Sequence, residues 1–123
     1  MDHDNTEVTQ LLQNLDVSPN EAATYAALLR IESVSIRKIA AYTGINRGTT
    51  YEALKRLMTL GLVSVRRQGQ REQYVAESPE KIYDIIRNKR RDLLDAATHA
   101  KKIIPKLLAQ KVHSGDRPLV RYY

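Results

Sequence analysis

Along most of the chain apolar positions recur at helical spacing, and in one short stretch after Gly61 they alternate. The first helical stretch is residues 6–16, with Val8, Leu11, Leu12 and Leu15 on one face. Ser18, Pro19 and Glu21 then mark a helix start. Ser18 caps, Pro19 has the backbone angle of a first helical residue, and Glu21 completes a capping box. That helix is expected to reach about Ile31 and to bury Ala22, Tyr25, Ala26 and Leu29. A third start lies at Ser35, where Ile36, Ile39 and Ala40 form the stripe and Gly44 supplies the left-handed stop. Ile45 follows as an apolar plug. Asn46 caps a fourth helix that runs to about Leu60, stops at Gly61 and turns Thr50, Ala53, Leu54 and Leu57 inward.

After Gly61, residues 62–67 read as a strand, Gln68 to Arg71 as a Gly-containing turn, and residues 72–76 as the returning strand. Ser78 and Pro79 open a last helix that should reach residue 104 or beyond, with Pro105 kinking or ending it. Ser114 to Pro118 reads as a loop, and Leu119 to Tyr123 as a strand. The expected fold is mainly α with a small β-hairpin: a winged helix-turn-helix over 1–77, a long coiled-coil dimerisation helix over 78–112, and a tail over 113–123. A hairpin that follows a helix-turn-helix is a wing.

Within the long helix, Ile86, Leu93, Ala100 and Leu107 fall seven apart. Ile82, Ala96 and Ile103 occupy companion positions, and Lys89 interrupts them. This partial heptad predicts a seam that pairs with a second copy, a homodimer. The helix is too long for the small preceding domain to cover; the competing reading is a helix folded back on its own domain. Arg87, Lys89, Arg90, Arg91, Lys101 and Lys102 make the helix basic; they read mainly as a solvated face, with contact to DNA flanks as the alternative.

The formal net charge of the 123-residue chain is +6, which favours a polyanionic partner, nucleic acid first. Cysteine is absent, which excludes disulfides, thiolate catalysis and Cys-based zinc sites. His3, His99 and His113 are far apart and have no metal-ligand neighbour at helical spacing, so no metal and no cofactor is expected. No apolar run is long enough to span a membrane. Met1, Asp2, His3, Asp4 and Asn5 are unlike a signal peptide, which predicts a cytoplasmic protein. Glu21, Glu52 and Glu72 sit apart, and neither a catalytic triad nor a phosphate-cradling Gly loop is present, so no enzyme is expected.

Double-stranded DNA is the partner that the pattern predicts. A major groove admits one α-helix, and the side chains at that helix's start meet base edges. The helix capped by Asn46 opens with Arg47, Gly48, Thr49, Thr50 and Tyr51, which offer donors and little negative charge. Lys55 and Arg56, one turn on, are placed for phosphates, with Ser35 and Arg37 on the preceding helix. Arg66, Arg67, Gln70 and Arg71 cluster at the hairpin tip. Two other readings compete. A protein-interaction module would need an apolar patch on the helix after Asn46, whose outward residues are instead polar and basic. A single-strand or RNA binder would use Tyr25, Tyr42, Tyr51, Tyr74 and Tyr83 to stack bases, but their helical spacing predicts that most pack inside.

These residues resemble a known family. Leu15 to Glu21 precede Tyr25-Ala26-Ala27-Leu28-Leu29, followed by Ile39-Ala40, Gly44-Ile45 and Arg47. Tyr51-Glu52, Leu54, Arg56-Leu57, Gly61-Leu62-Val63, Tyr74 and Ser78-Pro79-Glu80 continue the pattern. The set is similar to the N-terminal domain of TrmB-type transcriptional regulators, a family common in archaea. The resemblance implies a winged helix, a coiled-coil dimer, control of transcription, and DNA contacts from Arg47, Thr49, Thr50, Tyr51 and the wing arginines. Larger members continue into a sugar-sensing domain, and residues 117–123 look like its first strand. The chain then stops, as a truncated form or as a short regulator with no sensor, so no effector-binding residue carries over.

Overall fold

The computed structural model describes residues 3–113; the expected C-terminal loop and strand lie outside them. The described elements are α1 (His3–Gln13), α2 (Pro19–Arg30), α3 (Ile36–Thr43), α4 (Arg47–Thr59), β1 (Val63–Gln68), β2 (Arg71–Ala76) and α5 (Lys81–His113). The chain divides into two compact units, Met1–Ile86 and Arg87–Tyr123. The division falls later than the Ser78 helix start suggests, because Ile82 and Ile85 are buried in the core of the first unit.

Local turn chemistry sets most boundaries. The Ser18 hydroxyl accepts from the Glu21 amide at 3.2 Å, and the Glu21 carboxylate accepts from the Ser18 amide at 3.0 Å. Both bonds satisfy N–H groups that the first helical turn leaves unpaired. Gly44 closes α3 at φ 79°, a left-handed conformation a β-carbon would oppose. Helix α1 ends earlier than expected. Asp16 takes φ 68°, and the Val17 amide donates back to the Leu12 carbonyl at 3.1 Å, a Schellman-type closure built without glycine.

Helix α2 is central, touching α1, α3, α4 and β2. Its buried arc is therefore wide and takes in Ala22, Thr24, Tyr25, Ala26, Ala27 and Leu28. Leu29, expected inside, is 42% exposed, and Leu28 takes the inward place. Tyr25 is fully buried, and its hydroxyl donates to the Glu77 carbonyl at 2.9 Å, tying the hairpin exit to α2. Leu12, Ile39, Leu54, Leu57 and Leu62 complete the core with no exposed surface.

Strands β1 and β2 pair antiparallel from Val63↔Ala76 to Gln68↔Arg71, so the loop is Gly69–Gln70. Gly69, at φ 65°, supplies the positive angle a tight hairpin needs. Val34 forms a one-residue bridge to Tyr74: its amide donates to the Tyr74 carbonyl at 3.3 Å, and the Tyr74 amide donates back at 2.8 Å. The wing is thereby fixed to the residue just before the Ser35 cap of α3.

Helix α5 starts after a tight turn at Ser78–Glu80, two residues later than the proline suggests. It runs 33 residues, about 50 Å. Pro105 lies inside it and does not end it. Pro105 is exposed, so water can serve the carbonyl left without an N–H partner. No helix among the described residues is long and apolar enough to cross a membrane.

Candidate nucleic-acid interface

The start of α4 is held by its own cap. The Asn46 side-chain oxygen accepts from the Thr49 amide at 2.8 Å, which orients the first turn and keeps Arg47 and Gly48 exposed. A β-carbon at Gly48 would meet only the Asn46 side-chain oxygen, at 3.5 Å, so the surface there is open. Ser35 caps α3 through its hydroxyl, which accepts from the Lys38 amide at 3.4 Å. That cap places Arg37 and Lys38 on the first turn, where both are exposed.

These groups meet the wing in one place. An open cleft of about 700 Å³ is lined by Ser35, Arg37 and Lys38 of the α3 start, by Arg47 of α4, and by Arg67, Gln70 and Arg71 of the wing. Glu72 is its one carboxylate. Among the described residues, Arg37, Lys38, Arg47 and Arg71 have no carboxylate partner. The Arg67 guanidinium lies 3.2 Å from Glu72 across the hairpin, and both remain exposed. The Tyr74 hydroxyl also donates to Glu72, at 3.2 Å. Burial, then that bond and the Glu72 charge, raise the Tyr74 phenol above its ordinary 10.0, so it stays protonated. The cleft thus offers planar, permanently charged donors to an anionic surface.

Other expected residues are placed differently. Thr50 is fully buried, and its hydroxyl donates to the Asn46 carbonyl at 2.8 Å, so it supports the helix start and is withdrawn from any partner. Arg56 turns toward α2, with its Nε 3.9 Å from a Glu21 oxygen. Its side chain stays 41% exposed, beside the Glu21 carboxylate. Tyr51 is 47% exposed and carries the Lys55 ammonium 5.4 Å from its ring centre, while Lys55 also lies 3.7 Å from Glu52. Arg66 is exposed but does not line the cleft. Tyr42 and Tyr83 are exposed, contrary to the expectation that most tyrosines pack inside; Tyr25 and Tyr74 are buried. Lys38 escaped the sequence reading, although its position three residues after the Ser35 cap places it on the same turn as Arg37.

On the long helix, Ile82 is buried in the first unit's core and Ile86 packs partly against it, so neither is left for an exposed seam. Leu93 is 71% exposed and Leu107 is exposed as well. Ala96 is exposed, while Ala100 and Ile103 are half-buried.

Comparison with known structures gives the same architecture. The chain is similar to TrmBL2, an archaeal chromatin protein whose structure is described as showing a novel mode of DNA binding (19% identity, TM-score 0.75). That match covers 94% of this chain and 44% of TrmBL2, so the chain spans less than half of that relative's length. A possible transcriptional regulator from Methanosarcina mazei Go1 matches at 13% identity and TM-score 0.62, over 76% of this chain and 84% of its own. MepR from S. aureus, solved as a DNA complex, matches at 17% identity and TM-score 0.51, over 82% of this chain and 86% of its own. At these identities the likeness is one of fold, the winged helix. Among curated proteins, none matches the sequence. The family described as the sugar-specific transcriptional regulator TrmB matches residues 12–80, more than half of the chain, a span that takes in every residue lining the cleft. The chain belongs to the TrmB family.

Proposed function

We propose that the protein is a sequence-specific regulator of transcription that binds double-stranded DNA as a homodimer. The start of α4 enters the major groove, and the wing lies on the minor groove or the backbone. The observation that carries this reading is the shared cleft: Arg47 at the α4 start and Arg67, Gln70 and Arg71 on the wing line one surface with Arg37 and Lys38. A recognition helix flanked by cations can read base edges while the flanking groups hold phosphates. Arg47 suits a guanine edge, because its guanidinium donates two parallel bonds. The matches to a DNA-binding chromatin protein and to a regulator solved on DNA support the same partner.

Dimerisation is supported by the second unit. With Ile82 and Ile86 assigned to the first unit, the seam begins at Leu93 and continues through Ala96, Ala100, Ile103 and Leu107. Small residues at its centre allow close packing of a second helix. A two-fold protein reads two half-sites.

Selection of binding sites from random duplexes should return sequences with two-fold symmetry. Replacing Arg47 with Ala should weaken binding to the selected site by about 1–3 kcal/mol, with a smaller loss on unrelated duplex. Unchanged affinity of Arg47→Ala for the selected site would remove α4 from the interface.

A further inference from the structure

We propose that the long helix presents a second duplex-DNA surface of its own, a basic stripe along α5 that engages the phosphate backbone irrespective of sequence. This inference rests on the reading that the protein binds duplex DNA, and it concerns a different surface.

The starting observation is where the charge sits. Residues 87–113 hold eight Lys or Arg and two Asp or Glu, a net of +6, equal to the formal charge of the whole chain. Residues 1–86 hold ten basic and eleven acidic residues, a net of −1. The domain with the recognition helix therefore adds nothing to the positive surplus that steers the protein toward a polyanion.

The charge is also ordered. At 3.6 residues per turn, Arg87, Arg90, Arg91, Lys101 and Lys102 fall within about 120° of one another. Leu93, Ala96, Ala100, Ile103 and Leu107 centre roughly opposite. Pairing of that seam would leave the basic stripe in water. Asp92 and Asp95 lie off the stripe, toward its flank. Arg90, Arg91, Lys101 and Lys102 are exposed, and among the described residues none of these four pairs with a carboxylate. Arg91 donates to the neutral Asn88 side chain, at 2.6 Å. From residue 87 to residue 102 the stripe is about 23 Å long. That is comparable to the axial run of about seven phosphates on one strand at 3.4 Å each.

An anionic membrane is the other polyanion to weigh. A membrane-lying helix sinks a bulky apolar face and carries its cations along the rim of that face. Here Leu94 and Leu108 fall among the cations and Leu93 and Leu107 lie in the seam, so once the seam pairs no continuous bulky apolar face remains to sink. Duplex DNA fits better, since it needs no apolar insertion.

The test uses the full chain and a random-sequence duplex lacking any selected site, with affinity measured across salt concentrations. Arg90→Gln/Arg91→Gln and Lys101→Gln/Lys102→Gln each remove two charges while keeping good helix formers. Each pair should lower the log–log salt slope by about 1.8, because every phosphate that a cation neutralises adds about 0.9 to it. The combined variant should lower it by about twice that, with circular dichroism unchanged. Lys101→Arg/Lys102→Arg should retain the parent slope. Unchanged slopes in all Gln variants, with Arg47→Ala still weakening the selected site, would overturn the stripe and leave the proposed function standing. Failure of the parent protein to bind any duplex would overturn both. Binding to phosphatidylserine vesicles that the Gln variants lose, while their duplex slope stays at the parent value, would assign the stripe to membrane and overturn the proposal.

Discussion

The two units handle apolar side chains in opposite ways. Up to Ile86, Leu12, Ile39, Leu54, Leu57 and Leu62 have no exposed surface, and Tyr25 is buried among them. Beyond it, Leu93, Leu94, Ile104, Leu107 and Leu108 are all at least half exposed. One region closes its own core; the other is a helix whose apolar seam faces water. An isolated helix gains little beyond its own hydrogen bonds and neighbouring-turn contacts, and most helix stability in proteins comes from packing an apolar face. The first unit can therefore specify its fold alone, whereas the second needs a partner surface, which the proposed dimer supplies.

Core truncation should give the strongest response and tests that contrast directly. Leu57→Ala removes a fully buried side chain and should destabilise the first unit by about 2–5 kcal/mol in denaturant unfolding, at any protein concentration. Leu93→Lys/Leu107→Lys should instead abolish the dimer in light scattering and remove the concentration dependence of unfolding, leaving the monomer's core intact. If the Lys variant unfolds the first unit as severely as Leu57→Ala does, the two regions are one cooperative structure and the comparison fails.

The same contrast explains what could be read from the sequence. Elements set by local chemistry were legible: the Ser18 capping box, the Ser35 and Asn46 caps, the Gly44 stop and the tight turn at Gly69 all act within four residues of themselves. Features set by distant partners were not. The Val34 bridge depends on Tyr74, forty residues on, and a single bridging residue has no alternation to betray it. Leu28 replaces Leu29 inside because α2 is surrounded by several elements, which no one-faced periodicity encodes. Pro105 reads as a kink or a stop, and the helix does not stop there, because an exposed helix can leave one carbonyl to water. The cleft was legible as two charge clusters, at Arg47 and at the hairpin tip. Their meeting depends on the wing being fixed at Val34. The Glu21 carboxylate beside Arg56 was not legible, because it lies on another helix.

A smaller effect comes from pH. Burial, with the Glu77 charge adding to it, pushes the Tyr25 phenol up to about 12 from its ordinary 10.0. The fold disfavours the phenolate, so this contribution is fully present below pH 10 and is lost as pH rises from 10 toward 12. The loss should approach about 2–3 kcal/mol, at 1.36 kcal/mol per pKa unit. Residues 87–113 contain no tyrosine, so the loss should fall on the first unit. Tyr25→Phe should lose about 0.5–1.5 kcal/mol at pH 7, where the bond to the Glu77 carbonyl is missing, and should then fall less steeply in alkali than the parent. Parallel curves for the two proteins between pH 9 and 12 would show that Tyr25 is not the group that titrates.

The weakest response concerns how each region treats its cations. In the first unit Lys55, Arg56 and Arg67 lie beside Glu52, Glu21 and Glu72, whereas among the described residues the cleft cations Arg37, Lys38, Arg47 and Arg71, like Arg90, Arg91, Lys101 and Lys102 of the helix, have no such partner. Glu21→Gln separates the roles of one shared oxygen, which accepts from the Ser18 amide at 3.0 Å and lies 3.9 Å from Arg56 Nε. Glutamine keeps an acceptor for the cap. It removes the charge that faces both the helix N-terminus and Arg56, interactions worth about 0.3–1 and 0–1 kcal/mol at partly exposed positions. Stability should therefore fall by less than about 1 kcal/mol. Arg56 is then released on α4, and a phosphate contact from it would steepen the salt slope on duplex DNA by about 0.9. An unchanged slope would mean that Arg56 belongs to the scaffold whether or not Glu21 is charged, leaving Arg47 and the cleft to act without it.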